Sequence, residues 1–257
     1  MISKARFKAA KRVAALHLLA SLAIALITAM MVFGAWYPYP YQELSGGREL
    51  FLLVVVVDVV CGPLLTLILF NPQKSRREIT LDIGLIATIQ LAALIYGAWT
   101  TWQARPSYLV LEVDRFKVVS TAELDPKAIK ELPPYLAPFV FGGVRTVAIR
   151  PPKSIEEKNK VFFESIEQGR DYSVRAEFYI PYEGAAALGS LNRAKPLELF
   201  LKHYPDCRIL AEKISKDESI SIAEWNYLPV IGRQDWIALL DKKGMVRGFL
   251  PGDGFLE

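Results

Sequence analysis

Residues 46–78 read GGRELFLLVVVVDVVCGPLLTLILFNPQKSRRE. The apolar run inside this stretch, 50–70, matches the roughly 20 residues that a helix needs to cross a bilayer. Yet Asp58 lies within it, and Cys61, Gly62 and Pro63 follow. Lipid disfavours a carboxylate, and a proline removes one helix hydrogen bond. If the run spans a membrane, these residues face protein or do work there.

Two further apolar runs, 13–37 and 79–102, are also long enough to span. They account for the high hydrophobic fraction of the 257-residue chain, 52%, beside an ordinary charged fraction of 23%. The expected fold class is therefore a membrane protein. It has a basic tail (1–12), a three-helix transmembrane region (13–102; spans 13–37, 50–70 and 79–102) and an outer domain (103–257). From residue 103 onward 22 basic and 22 acidic residues balance. The net charge of +4 thus belongs to membrane flanks. It is no nucleic-acid footprint, which would need a basic patch on a folded domain.

Short loops rich in Lys and Arg stay in the cytoplasm. The tail holds Lys4, Arg6, Lys8, Lys11 and Arg12, and the loop 71–78 holds Lys74, Arg76 and Arg77. The loop 38–49 has only Arg48 beside Glu43 and Glu49. The expected orientation is N-terminus in, loop 38–49 out, loop 71–78 in, and the large domain out, which is the periplasm of a Gram-negative cell. The first run is too long for a cleaved signal peptide, and no convincing small-x-small site stands before Trp36-Tyr37-Pro38. Trp36, Tyr37, Tyr39 and Tyr41 read as an aromatic belt, matched by Tyr96, Trp99 and Trp102. Trp36, Arg48, Trp99 and Arg105 are the candidate interface anchors.

At 3.6 residues per turn, Asp58, Cys61, Gly62, Leu65 and Thr66 share one face. Asp82, Ile86, Gln90, Ala93, Gly97 and Thr101 share another. Small residues permit close helix approach and polar ones bond across. Pro63 is placed to kink the span. A rise of about 1.5 Å per residue sets Asp58 roughly 12 Å below the outer end of its span, and Gln90 roughly 18 Å and Tyr96 roughly 9 Å below theirs. Either is placed to reach Asp58. One reading makes Asp58, Cys61, Gly62, Pro63, Thr66, Gln90, Ala93, Tyr96 and Gly97 a docking surface for another transmembrane helix. The plain alternative is a neutral acid hydrogen-bonded among the three helices. Proton translocation would call for more spans and more ionisable groups.

The outer part alternates strand and helix signals. The stretch 107–119 reads as a strand interrupted by Glu112, Asp114 and Arg115. Asp125-Pro126 starts a helix. A strand over 144–150 stops at Pro151-Pro152. Ser154 to Glu157 fits a capping box, and Gly169 the stop of that helix. A strand is expected over 172–182, a helix over 196–204, and a hairpin of 236–240 with 245–250. The expectation is an α+β domain with a mainly antiparallel sheet.

No Walker loop, G-x-S-x-G, G-x-G-x-x-G or H-E-x-x-H occurs. His203, Asp206 and Cys207 invite a nucleophile reading but sit at a helix end. His17 and His203 are too few for a metal site, and Cys61 and Cys207 are placed too differently to pair. No catalytic residue, metal or cofactor is expected, and no enzyme.

The strings GGRELF (46–51), DVVCGPLLT (58–66), FNPQKSRRE (70–78), QLAALIYG (90–97) and ARPSYLVLEVDRF (104–116) resemble the TfpX/TfpZ family of type IV pilin accessory proteins. The likeness is dense to about residue 119 and looser beyond, with 225–244 again similar. It implies an inner-membrane protein that supports assembly of a particular pilin, with the pilin, the assembly machinery and the lipid bilayer as partners and no nucleic acid. The alternative is a membrane sensor or scaffold with a periplasmic ligand-binding domain. Only the tail and the loop 71–78 face inward on this reading, which leaves such a sensor dependent on a partner for output.

Overall fold

The computed structural model describes residues 4–256, with the side chains of Leu50 and Gln168 left out. It divides into two compact units. The first comprises residues up to Pro38 together with Gly47–Gln103, and the second comprises Tyr39–Gly46 with the chain from Ala104 onward.

Three helices build the first unit, Lys4–Trp36, Gly47–Leu69 and Arg76–Gln103, each long and apolar enough to cross a membrane. The first begins inside the basic tail, because Lys, Arg and Ala between residues 4 and 12 are good helix formers. The third begins at Arg76, ahead of its apolar run, because Ser75 caps it. Ser75 Oγ accepts from Glu78 N–H at 3.3 Å, and the Glu78 carboxylate accepts from Ser75 N–H at 2.8 Å. Leu16, Leu19, Leu53, Ile68, Leu85 and Ile95 are more than half exposed, as lipid-facing side chains would be.

A mixed sheet of eight strands forms the second unit. The strands are β1 (Pro106–Leu111), β2 (Phe116–Ser120), β3 (Arg145–Ile149), β4 (Tyr179–Pro181), β5 (Lys195–Pro196), β6 (Asn226–Ile231), β7 (Trp236–Leu240) and β8 (Val246–Pro251). Their order is β4-β3-β1-β2-β6-β7-β8, with β5 also paired to β6. Five pairings are antiparallel, but β1–β3 and β2–β6 are parallel. The expectation of a mainly antiparallel sheet is corrected accordingly. Between β2 and β3 the chain makes the helix Pro126–Glu131 and a long loop, and such a connection can return the chain to run parallel.

Side chains alternate to both faces of the sheet. Leu109, Leu111, Trp236, Ala238 and Leu240 enter one cluster. Tyr108 and Val110 enter a second, and Ile237 and Leu239 a third. Strands covered on both sides read as unbroken apolar runs, which is why SYLVL and WIALL show no alternation.

Three local expectations change. The stretch 107–119 is the β1–β2 hairpin, turned at the charged residues that interrupt it. Of 172–182, only Tyr179–Pro181 is strand; Tyr172–Val174 and Ala176–Phe178 are 3-10 turns. Glu157 completes half of the expected capping box. Ser154 Oγ accepts its N–H at 3.2 Å, but the carboxylate goes to Lys153 N–H and to Arg150 at 2.8 and 3.0 Å.

The connector between the first two helices belongs to the sheet unit. Its helical turn, Tyr41–Leu44, buries Leu44 completely. The Leu44 carbonyl accepts Arg233 N–H at 2.6 Å, and Tyr41 packs edge-on to Phe249 with ring centres 5.7 Å apart. A Cβ on Gly232 would collide with the Leu44 carbonyl. The expected belt therefore loses Tyr41 to a protein core, and Tyr39 packs edge-on to Trp236. Tyr37 is buried in the helical unit, its hydroxyl donating to the Thr101 carbonyl at 3.0 Å.

The β7–β8 turn hangs on Asp241. Its carboxylate accepts from Lys243 N–H, Met245 N–H and Arg247 Nε at 2.8, 2.9 and 2.9 Å. Burial pushes this carboxyl up, but those donors outweigh it and hold it below the usual range. Asp241→Ala is expected to cost about 2–3 kcal/mol through the lost charge-assisted bonds, read as a lowered Tm of the detergent-solubilised chain. Glu157 is held down to about 2, first by its bonds from Arg150. A depressed carboxyl contributes stability above its unfolded pKa and loses it as pH falls through the folded value. Tm should therefore fall between the ordinary glutamate value of 4.5 and about 2, and Glu157→Gln should flatten that decline.

Candidate functional site

The second helix is not regular. Gly47–Val56 is α-helical, Val57–Cys61 is a π-turn, and Gly62–Leu69 is α-helical again. In π-register each carbonyl accepts from the N–H five residues on. For Asp58 that residue is Pro63, which has no N–H. An unserved carbonyl in an apolar interior costs several kcal/mol. Gln90 of the third helix serves it, its side-chain amide donating to the Asp58 carbonyl at 2.9 Å. Gly62 makes room for that amide, since a Cβ there would overlap it. The Asp58 carbonyl, the glycine and the proline are thus parts of one joint between two helices, and the carboxylate is left out of it.

The π-turn inserts a residue and so re-aims the face that regular spacing predicts. Asp58, Gly62, Pro63 and Thr66 are buried, whereas Cys61 and Leu65 are exposed. In the third helix Ile86 and Thr101 are buried, and Gln90, Ala93 and Gly97 are half-buried on the same side. Gly97 lets Val54 approach, because a Cβ would press on its methyl groups. Tyr96 is exposed and lies beside Trp99, not beside Asp58. Of the two candidates, Gln90 is the one that reaches Asp58, and it does so at the backbone.

The Asp58 side chain is 8% exposed, and its Oδ1 has no hydrogen-bond partner among the described residues. It lines a cavity of about 300 Å³ between the three helices. The walls are mostly apolar, from Ile24, Phe51, Val54 and Leu94, with His17, Ser21 and Gln90 as polar points. His17 Nδ1 and Thr66 Oγ1 are 2.6 Å apart. Nothing in the linear pattern marks His17 for this place; it is half-buried, and the buried Ser21 and half-buried Thr28 of the same helix line the cavity with it.

At the end of this unit near the loop 71–78, cations serve the final carbonyls of the second helix. Arg6 donates to Ile68 and Phe70 at 3.2 and 3.5 Å, and Lys74 to Leu69 at 3.3 Å. Lys74 also pairs with Asp82. Of the expected anchors, Arg48 and Trp99 are exposed and Trp36 is half-buried. Arg105 belongs to the sheet unit, where its Nη2 donates to the Phe139 carbonyl at 3.4 Å.

In the sheet unit His203 and Cys207 do not meet as base and nucleophile. His203 Nδ1 lies 3.1 Å from the Leu199 carbonyl and Cys207 Sγ 3.3 Å from that of Pro251. Burial, then the charge of Asp206, pushes the Cys207 thiol up, away from the reactive thiolate. Among the described residues no three His, Cys, Asp or Glu side chains are grouped to hold a metal ion.

Comparison with known proteins completes the description. The profile described as "Fimbrial assembly protein FimB" matches residues 5–46. The chain is 33% identical over 262 residues to the fimbrial assembly protein of Dichelobacter nodosus serogroup I, covering 99% of both chains. The serogroup E1 protein of the same organism gives the same identity and coverage. The protein of serogroups C1 and C2 is 42% identical over 132 residues, which is 51% of this chain and 98% of that one. No solved structure matches. The similarity places the chain with the fimbrial assembly proteins and does not bear out the TfpX/TfpZ name. Because likeness to the serogroup I and E1 proteins runs from end to end, the chain belongs to the fimbrial assembly protein (FimB) family.

Proposed function

We propose that this protein is an inner-membrane accessory factor that supports assembly of a cognate type IV pilin, docking the pilin's membrane helix against the helical unit so that a polar side chain of it enters the cavity beside Asp58, and contacting its head through the sheet unit. The observation that carries this reading is the buried Asp58 carboxyl, whose Oδ1 is unpartnered among the described residues and which lines an apolar cavity between helices. Intramembrane polar groups are expensive, and one without a partner marks a place where a partner docks. The relatives' names supply the process, fimbrial assembly.

Location and orientation follow the same reasoning. Tyr39–Gly46 and the chain from Ala104 onward form one unit, so both lie on one side of any bilayer that the helices cross. The Lys- and Arg-rich tail and the loop 71–78 then lie on the other side, which the charge rule makes the cytoplasm. The sheet unit is periplasmic on this assignment. Two modest contacts carried on one chain reinforce each other through effective concentration. A helix contact in the membrane and a head contact outside it would together select one pilin.

Surface pili and total membrane pilin, measured side by side in a deletion strain and after restoration, test the reading. Loss of both marks a protector of unassembled pilin, and loss of surface pili alone marks a role in assembly. No change in either overturns the proposal. In the same assay Asp58→Asn is expected to keep surface pili, because an amide fills the same space and still hydrogen-bonds. Asp58→Leu should lose them nearly to the deletion level. Loss in Asp58→Asn would show that charge itself is required and would overturn docking by hydrogen bond.

A further inference from the structure

The stretch 132–144, LPPYLAPFVFGGV, holds no charged residue. It forms the loop between the helix Pro126–Glu131 and β3. Its backbone is held by three donors within the sheet unit. Tyr108 hydroxyl donates to the Leu136 carbonyl at 2.8 Å, Arg145 Nε to that of Ala137 at 3.0 Å, and Arg105 Nη2 to that of Phe139 at 3.4 Å. The Arg145 guanidinium also lies over the Phe139 ring, 4.2 Å from its centre. Leu136 is buried at the root, yet Val140 is 72% and Phe141 86% exposed. So many bonds hold an apolar tip outward, and each bare side chain forgoes the gain of burial.

The chain itself indicates what covers the tip. Arg105, which holds Phe139, follows the last residue of the third helix, Gln103, by two positions. Two residues of chain reach about 7 Å at most. The outer end of a spanning helix lies at the headgroups, so the donor that fixes the loop stands at that level. An uncharged tip with Tyr135, Val140 and Phe141 exposed, beside the half-buried Arg145, is chemistry for the lipid interface, where rings enter the acyl boundary and a cation can reach phosphates.

We propose that the loop 135–141 dips into the outer leaflet of the bilayer that the helices span, with Tyr135, Val140 and Phe141 in lipid and Arg145 at the headgroups, while the buried Arg105 holds the loop from within the sheet unit. The sheet unit then gains a second hold on the membrane, apart from its covalent connections. This rests on the membrane location proposed above.

The test uses the full chain with Cys61→Ala and Cys207→Ser, reconstituted in phosphatidylethanolamine–phosphatidylglycerol vesicles that contain nitroxide-bearing lipid. An environment-sensitive fluorophore is attached through Phe141→Cys, Leu85→Cys or Ile209→Cys, one at a time. Leu85 is an exposed position of the third helix and Ile209 an exposed position of the sheet unit. Labels at 85 and 141 are expected to emit at shorter wavelength and to lose intensity to the nitroxide, while the label at 209 keeps both. If 85 is quenched and 141 behaves like 209, the loop is in water and the inference falls while the membrane reading stands. If 85 itself is not quenched, the membrane reading falls and takes the loop inference with it. A blue shift at 141 that appears only on adding purified pilin makes the loop a protein-docking surface and overturns insertion into lipid.

Discussion

In hydrocarbon no water is at hand to accept or donate, so every backbone carbonyl needs a partner supplied by the protein. At Asp58 the chain creates a carbonyl that its own helix cannot serve, because the π-turn aims it at Pro63. The Gln90 amide that answers it comes from another helix, at a spot only glycine leaves open. One hydrogen bond therefore sets both the rotation and the approach of the second and third helices. Once they are set, Gly97 meets Val54, and the Asp58 carboxyl is turned into the cavity toward the first helix. The His17–Thr66 contact and the Arg6 caps fix that first helix along the second.

The second unit shows a comparable economy. A helical turn of four residues between two membrane-length helices is built into a sheet whose other strands lie far along the chain. Leu44 fills the same cluster as Leu109, Leu228 and Trp236. The chain thus leaves the helical unit, contributes one wedge of core, returns for two more helices, and only then supplies the sheet. The parallel pairings at the middle of that sheet are the mark of its long connections.

Much of this is legible in one dimension. The three apolar runs give three helices, since bilayer thickness imposes a length that few other constraints mimic. The hairpin 236–250, the stop at Gly169 and the caps at Asp125 and Ser154 are local turn chemistry and stand where spacing puts them. What fails is non-local. No periodicity announces a π-turn, so Cys61 and Leu65 fall off the face that 3.6 residues per turn assigns them. No pattern announces parallel pairing, which depends on where a crossover lands. Tyr41 has the composition of an interfacial belt, and only its neighbours from the sheet reveal it as a packing residue. His17 is invisible for the same reason: its partner Thr66 is 49 positions away.

The place of Leu44 in the sheet also sets a schedule. Its carbonyl pairs with the N–H of Arg233, and the two are 189 residues apart in the sequence (233 minus 44). At synthesis rates of about 5–20 residues per second, roughly 10–40 s separate the appearance of the two partners. Through that interval an apolar turn stands outside the growing chain with nothing to pair with. The sheet can close on this turn only after all three helices have been synthesised. A single contact thus ties the turn between the first two helices to a strand end made long after it.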